Sequence, residues 1–96
     1  MRLIPREWSE LNATERDVLL GFAVHGPATG YKVWQQVNPD VDPAGVYDPL
    51  QRLQEKGYIE QVSEGEHRNE GNQNRVTDEG MRLVRQAVVD PADELE

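Results

Sequence analysis

Asp42-Pro43-Ala44-Gly45-Val46-Tyr47-Asp48-Pro49-Leu50-Gln51-Arg52-Leu53-Gln54-Glu55-Lys56-Gly57 runs directly into Tyr58-Ile59-Glu60-Gln61-Val62-Ser63. The first stretch reads as a helix. Asp42 is a capping side chain, Pro43 suits the first helical position, and Val46, Leu50 and Leu53 form an i, i+4, i+7 stripe. Tyr47 flanks that stripe, and Gly57 is the residue type that closes a helix in the left-handed region. Pro49 disturbs the pattern. At the seventh helical position its missing N–H deletes a bond to the Gly45 carbonyl, and its ring crowds that oxygen. The spacing predicts one helix bent at Pro49, with a fresh start at Asp48-Pro49 as the alternative.

The second stretch reads as a strand, and residues 72–76 read as its antiparallel partner. Between them, residues 64–71 contain two glycines and no apolar residue, so they form a protruding ribbon tip. Upstream, Thr29 caps a short helix over residues 30–37, which Asn38-Pro39-Asp40 ends because proline disfavours helix in the residue before it. Further back, Asn12 and Glu15 make a capping box, with Thr14 as a second possible cap. Val18, Leu19, Phe22 and Ala23 then recur at helical spacing until Gly26-Pro27 stops the helix after His25. Leu11 and Trp8 stand where a hydrophobic staple belongs, although Trp8 also suits an arm that packs on a second subunit. After the hairpin, Thr77 caps a closing helix from Asp78 to about Val89, with Met81, Leu83, Val84 and Val88 available for burial.

Three helices, a two-stranded hairpin and a closing helix define an α+β fold of winged helix-turn-helix type. The expected divisions are an N-terminal arm at 1–11, the winged domain at 12–89 and an acidic tail at 90–96. Several spaced motifs add a family resemblance. Gly26-Pro27-Ala28-Thr29-Gly30-Tyr31-Lys32-Val33 resembles the start of the second helix in PadR-like transcriptional regulators. The stretch from Ala44 to Leu53, with Tyr47, Leu50 and Leu53 in place, resembles their recognition helix. Gln54 to Glu60 is similar to their exit into the wing, and Arg75-Val76-Thr77-Asp78-Glu79-Gly80 to the entry of their last helix. The resemblance spans about residues 11–88, and the Trp8 start and the acidity look most like small haloarchaeal members. Two positions depart from the pattern: proline stands at 49 rather than directly after the tyrosine, and Asn74 occupies a place often aromatic. The resemblance implies a DNA-binding regulator, most simply a repressor.

Composition limits the alternatives. Ninety-six residues suffice for one modest core, and 36% apolar residues with six aromatics make that core small. No run approaches the ~20 apolar residues of a membrane-spanning helix. Residues 1–7 form no signal-peptide apolar region, so no membrane partner and a cytoplasmic setting are expected. Absence of cysteine excludes disulfides, thiol nucleophiles and zinc sites built on cysteine. Eighteen acids against ten bases give a net charge of −8, and eight of those bases are arginine. Such acidity normally argues against nucleic acid, whose readers carry a basic face. It also suits a halophilic protein in molar salt, where dense carboxylates keep a surface hydrated.

The outward face of residues 43–56 presents Ala44, Gly45, Asp48, Gln51, Arg52 and Glu55. Gln51 carries the amide for a bidentate pair with adenine and Arg52 the fork for guanine, while Asp48 accepts from cytosine or caps locally. Thr29, Tyr31 and Lys32 lie at a helix start, where backbone N–H groups favour a phosphate. The hairpin adds His67, Arg68, Asn69 and Arg75, and its amides Asn72, Gln73 and Asn74 donate without relying on charge. A homodimer is expected, since symmetric readers match palindromic half-sites. Ile4, Trp8, Leu11, Val84, Val88 and Val89 supply the apolar surface for its interface. Enzymatic chemistry fits poorly: His25 and His67 are isolated, the carboxylates are ungrouped, and no glycine-rich phosphate loop occurs. No metal, cofactor or small-molecule ligand is implied. The rival class is a winged-helix protein-interaction module, which the acidity favours.

Overall fold

The computed structural model describes residues 4–63 and 73–89. A short helix α1 (Arg6–Ser9) leads to α2 (Ala13–His25) through the expected capping box. The Glu15 N–H donates to Asn12 Oδ1 at 2.8 Å, and the Asn12 N–H donates to Glu15 Oε1 at 2.8 Å. This reciprocal use explains how Glu15 is tolerated in the interior at 3% exposure. Gly26 closes α2 with φ 74°, and two residues of strand, β1 (Ala28–Thr29), separate it from α3 (Gly30–Val37). Thr29 Oγ1 accepts from the Lys32 N–H at 3.1 Å, the expected cap.

Pro49 is accommodated without a bend in an α-helix. Residues Pro43–Val46 form a 3₁₀ turn, capped by Asp42, whose Oδ1 accepts from the Ala44 N–H at 2.9 Å. The α-helix proper, α4 (Tyr47–Glu55), begins only afterwards. Pro49 therefore lies in its first turn, where the N–H it lacks has no intrahelical acceptor in any case. The continuous bent helix is thus replaced by something nearer the fresh start. At the other end the Tyr58 N–H bonds the Leu53 carbonyl and the Gly57 N–H bonds the Gln54 carbonyl, each at 3.0 Å. With Gly57 at φ 82°, this is a Schellman motif, and it aims the chain into the sheet.

Strands β2 (Ile59–Ser63) and β3 (Gln73–Val76) pair antiparallel, as expected. The sheet has three strands, however, in the order β1-β3-β2, with Ala28 opposite Asn74 and Thr29 opposite Gln73. Two residues after Pro27, the second of them the helix cap itself, are too few to show any alternation, which is why the sequence pattern missed the third strand. The closing helix α5 (Asp78–Val84) continues as a π-helical turn over Arg85–Val89. Thr77 Oγ1 accepts from the Gly80 N–H at 3.0 Å and donates to the Gly57 carbonyl at 2.6 Å. A Cβ on Gly80 would collide with the Tyr58 carbonyl oxygen, so the Thr-x-x-Gly spacing has a steric cause.

The core joins Val18, Leu19 and Phe22 of α2 to Val33 and Trp34 of α3, Leu50 and Leu53 of α4, Ile59, and Leu83 of α5. Leu11 and Val84 belong to it as well, at 2% and 6% exposure. Of the stretch expected as an arm, Trp8 and Leu11 pack on the core. Trp8 packs partly buried against the core, Arg16 lies over its ring at 5.9 Å, and the Arg16 guanidinium donates to the Trp8 and Ser9 carbonyls at 3.2 Å.

These placements predict stabilities that urea denaturation can read. Leu50→Ala and Leu53→Ala are each expected to lose about 2–4 kcal/mol by leaving a cavity. Gly80→Ala should lose about 1–3 kcal/mol through overpacking. Gln51→Ala should stay within about 0.5 kcal/mol, because the side chain is exposed.

Candidate nucleic-acid interface

Helices α3 and α4 form a helix-turn-helix whose connection is pinned by the Trp34 indole, which donates to the Val41 carbonyl at 3.2 Å. Gly45 rests on that ring: a Cβ there would lie 3.1 Å from Trp34. The phase read from the sequence holds. Val46, Leu50 and Leu53 face inward, and Ala44, Gly45, Asp48, Gln51, Arg52 and Glu55 are exposed. Gln51 Nε2 donates to Glu55 Oε1 at 3.2 Å, a bond between two exposed side chains. Among the described residues no ion pair engages Arg52 or Lys32.

Tyr47 joins this face. It is 63% exposed rather than packed against the core stripe, and its i, i+4 relation to Gln51 was the signal that could have placed it there. Tyr31 is also exposed, and its hydroxyl accepts from Gln35 Nε2 at 3.2 Å. Thr29 is half-buried and Lys32 exposed, so the start of α3 presents one cation beside a capping hydroxyl.

The wing differs more from expectation. Asn74 is not a surface donor: it is buried at 3% exposure, and its Oδ1 accepts from Gln54 Nε2 at 2.7 Å. A buried amide is accommodated here because α4 supplies a polar partner. Arg75 is exposed but paired with Glu60 across the strands, N···O 2.7 Å. It also shares a cleft with Asp78 and Glu79, so its charge is already answered in the free protein. Lys56 likewise shares a cleft with Glu7 and Glu10. Tyr58 lies there too, its phenol raised above the ordinary 10.0 by burial first and then by Glu7, Glu79 and Glu10. His67, Arg68, Asn69 and Asn72 lie outside the described residues.

For the expected interface, Ile4 and Val88 are exposed at 55% and 49%. Leu11 and Val84 are corrections: both are buried in the protomer's own core and offer no surface to a second copy. Trp8 presents only a partial face, and the Val89 side chain lies outside the described residues.

No family model matches the chain, and no curated protein is similar to it. Solved structures are. RV1404 from Mycobacterium tuberculosis superposes with a TM-score of 0.77 at 20% identity, covering 96% of this chain and 60% of that one. NMB1585, a MarR family regulator from Neisseria meningitidis, gives 0.68 at 21% identity over 94% of this chain and 61% of its own. BpsR of Bordetella bronchiseptica, whose DNA binding is regulated by 6-hydroxynicotinic acid, gives 0.68 at 23% identity, covering 91% of this chain and 58% of its own. The chain therefore spans about three-fifths of the length of these structures. At such identities the likeness establishes the fold, which is the winged helix-turn-helix. No described helix is long and apolar enough to cross a membrane.

Asn74→Ala is expected to cost about 1–3 kcal/mol in thermal or urea denaturation, because the Gln54 amide loses its acceptor in a half-buried place. A change below about 0.5 kcal/mol, the size seen at exposed sites, would contradict that role.

Proposed function

We propose that this chain is a sequence-specific double-stranded DNA-binding transcriptional regulator, a PadR-like repressor that works as a homodimer. The observation that carries the reading is the Gln51–Arg52 face: one amide and one guanidinium with no ion pair among the described residues, exposed on the second helix of a helix-turn-helix. The 3₁₀ turn and α4 enter the major groove, and the β2–β3 hairpin is the wing. Ala44 and Gly45 keep the leading turn slim, so the backbone approaches the base edges closely. Gln51 reads adenine and Arg52 guanine, Asp48 accepts from a cytosine amino group, and Thr29, Tyr31 and Lys32 hold a phosphate. His67, Arg68, Asn69 and Arg75 serve the wing, Arg75 once it exchanges Glu60 for a phosphate. The regulators with this fold support the class, and the spaced motifs at residues 26–33, 44–53 and 75–80 support the PadR-like subtype.

The acidity fits a reader built for high salt in a cytoplasm. Each phosphate neutralised steepens the fall of log affinity with log salt by about 0.9 for duplex DNA. A reader with few free cations has a shallow slope, and its amide contacts keep their value when counterion release no longer drives binding. The same net charge of −8 favours the rival reading, a protein-interaction module.

Fluorescence anisotropy separates the two. An operator selected from a random pool and a scrambled duplex are titrated from low to molar KCl. Wild type is expected to show a shallow slope and a preference for the operator. Arg52→Ala should lose about 1–3 kcal/mol of that preference, and Arg68→Ala should weaken both duplexes alike. If wild type binds neither duplex at any KCl concentration, the interaction module takes its place. Light scattering is expected to return a dimer mass at every salt concentration; a monomer throughout would overturn the dimer.

A further inference from the structure

The third strand builds a cleft that the sequence did not reveal. Pairing of Thr29 with Gln73 brings the start of β3 beside α3 and the end of α2. Between them lies a cleft of about 500 Å³, with Val33 in its apolar lining and Lys32, His25, Gln36, Gln73 and Thr29 supplying the polar groups. Every polar side chain in that set has an N–H or O–H to donate. No carboxylate lines the cleft among the described residues, in a chain where 18 of 96 residues are acidic. Two other clefts among the described residues that contain a cation differ: Arg75 shares its cleft with Glu60, Asp78 and Glu79, and Lys56 with Glu7 and Glu10. Here alone among these clefts, positive charge and amide donors converge without a built-in anion.

We infer that this cleft is a phosphate site that takes a backbone phosphodiester of duplex DNA, held by Lys32 and His25 and by the amides of Gln36 and Gln73. The inference rests on the DNA-binding reading above and extends it to two residues outside that reading, His25 and Gln36, while giving the hairpin amide of Gln73 a defined phosphate partner. It gives the wing a second task. Because Gln73 opens β3, a strand phosphate seated here ties the hairpin to the helix-turn-helix and fixes how the duplex lies across both. A phosphate contact carries no base information, so the site orients the reader and leaves specificity to α4.

The test compares Lys32→Ala, Gln36→Ala and Lys56→Ala with wild type, using the selected operator and a random-sequence duplex at several KCl concentrations. Thermal melts verify that each variant is folded. Lys32→Ala is expected to weaken both duplexes by at least tenfold and to lower the salt slope by about 1.8, roughly 0.9 for each of the two lysines of a bound dimer. Gln36→Ala should also weaken both equally but leave the slope unchanged, because a neutral amide releases no counterion. A merely structural role would not separate affinity from slope in this way. Lys56→Ala should change neither. If wild type binds while Lys32→Ala and Gln36→Ala match Lys56→Ala, the cleft assignment falls and the DNA reading stands. If wild type binds no duplex, both fall; tight binding of inorganic phosphate in calorimetry, lost in Lys32→Ala, would then reassign the cleft to a free phosphoryl anion.

Discussion

The hydroxyl of Thr77 sits where four elements meet. It donates to the Gly57 carbonyl behind α4 and accepts from the Gly80 N–H at the start of α5, while the Thr77 N–H reaches the Tyr58 carbonyl before β2. One residue thus locks the exit of α4, the entry of the hairpin and the return of the chain to the core. The lock works because both glycines are needed as glycines. Gly57 turns the chain at positive φ, and Gly80 leaves room for a carbonyl that any side chain would displace. If the angle between α4 and the hairpin changed, the face carrying Gln51 and the strand carrying Arg75 would no longer address one surface.

A second polar contact acts inside the same junction. The Gln54–Asn74 pair bridges the inner side of α4 to the middle strand of the sheet, in a place where an aromatic ring would fill volume without direction. A partly buried amide pair has few acceptable geometries, whereas apolar packing tolerates sliding. The small core gains registration from it. Helix starts follow the same logic: Asn12, Thr29, Asp42 and Thr77 each satisfy a backbone N–H through a side-chain oxygen, so local bonds rather than ion pairs fix where the helices begin.

The order of elements and the inward stripe of α4 were legible in the sequence because they rest on local chemistry. Caps, prolines, positive-φ glycines and periodic apolar residues announce themselves within a few positions. What escaped depends on partners distant in the chain. Strand β1 exists because β3 lies beside it, and two residues carry no periodicity. Asn74 looked like a surface amide because Gln54 stands twenty positions away. Leu11 and Val84 were open to two uses, burial in the chain's own core and contact with a second subunit, and only the tertiary packing shows that the core takes them. Pro49 was read as a bend because the 3₁₀ turn Pro43–Val46 contributes only Val46 to the apolar stripe, too little for spacing to separate it from a first α-helical turn; the hydrogen-bond pattern does so. The candidate reading face followed once the inward stripe was known. The cleft at Thr29 and Gln73 did not, since it is made by strand pairing.

The brevity of β1 has a further effect. Sheets left with a long open edge invite another chain to add a strand, the usual route to fibrils. Here one edge of the sheet ends in two residues, and Pro27 directly before them has no N–H to offer a newcomer. The ladder stops before it can serve as a template. Strand addition on that side is blocked by geometry, without any call on charge repulsion between molecules.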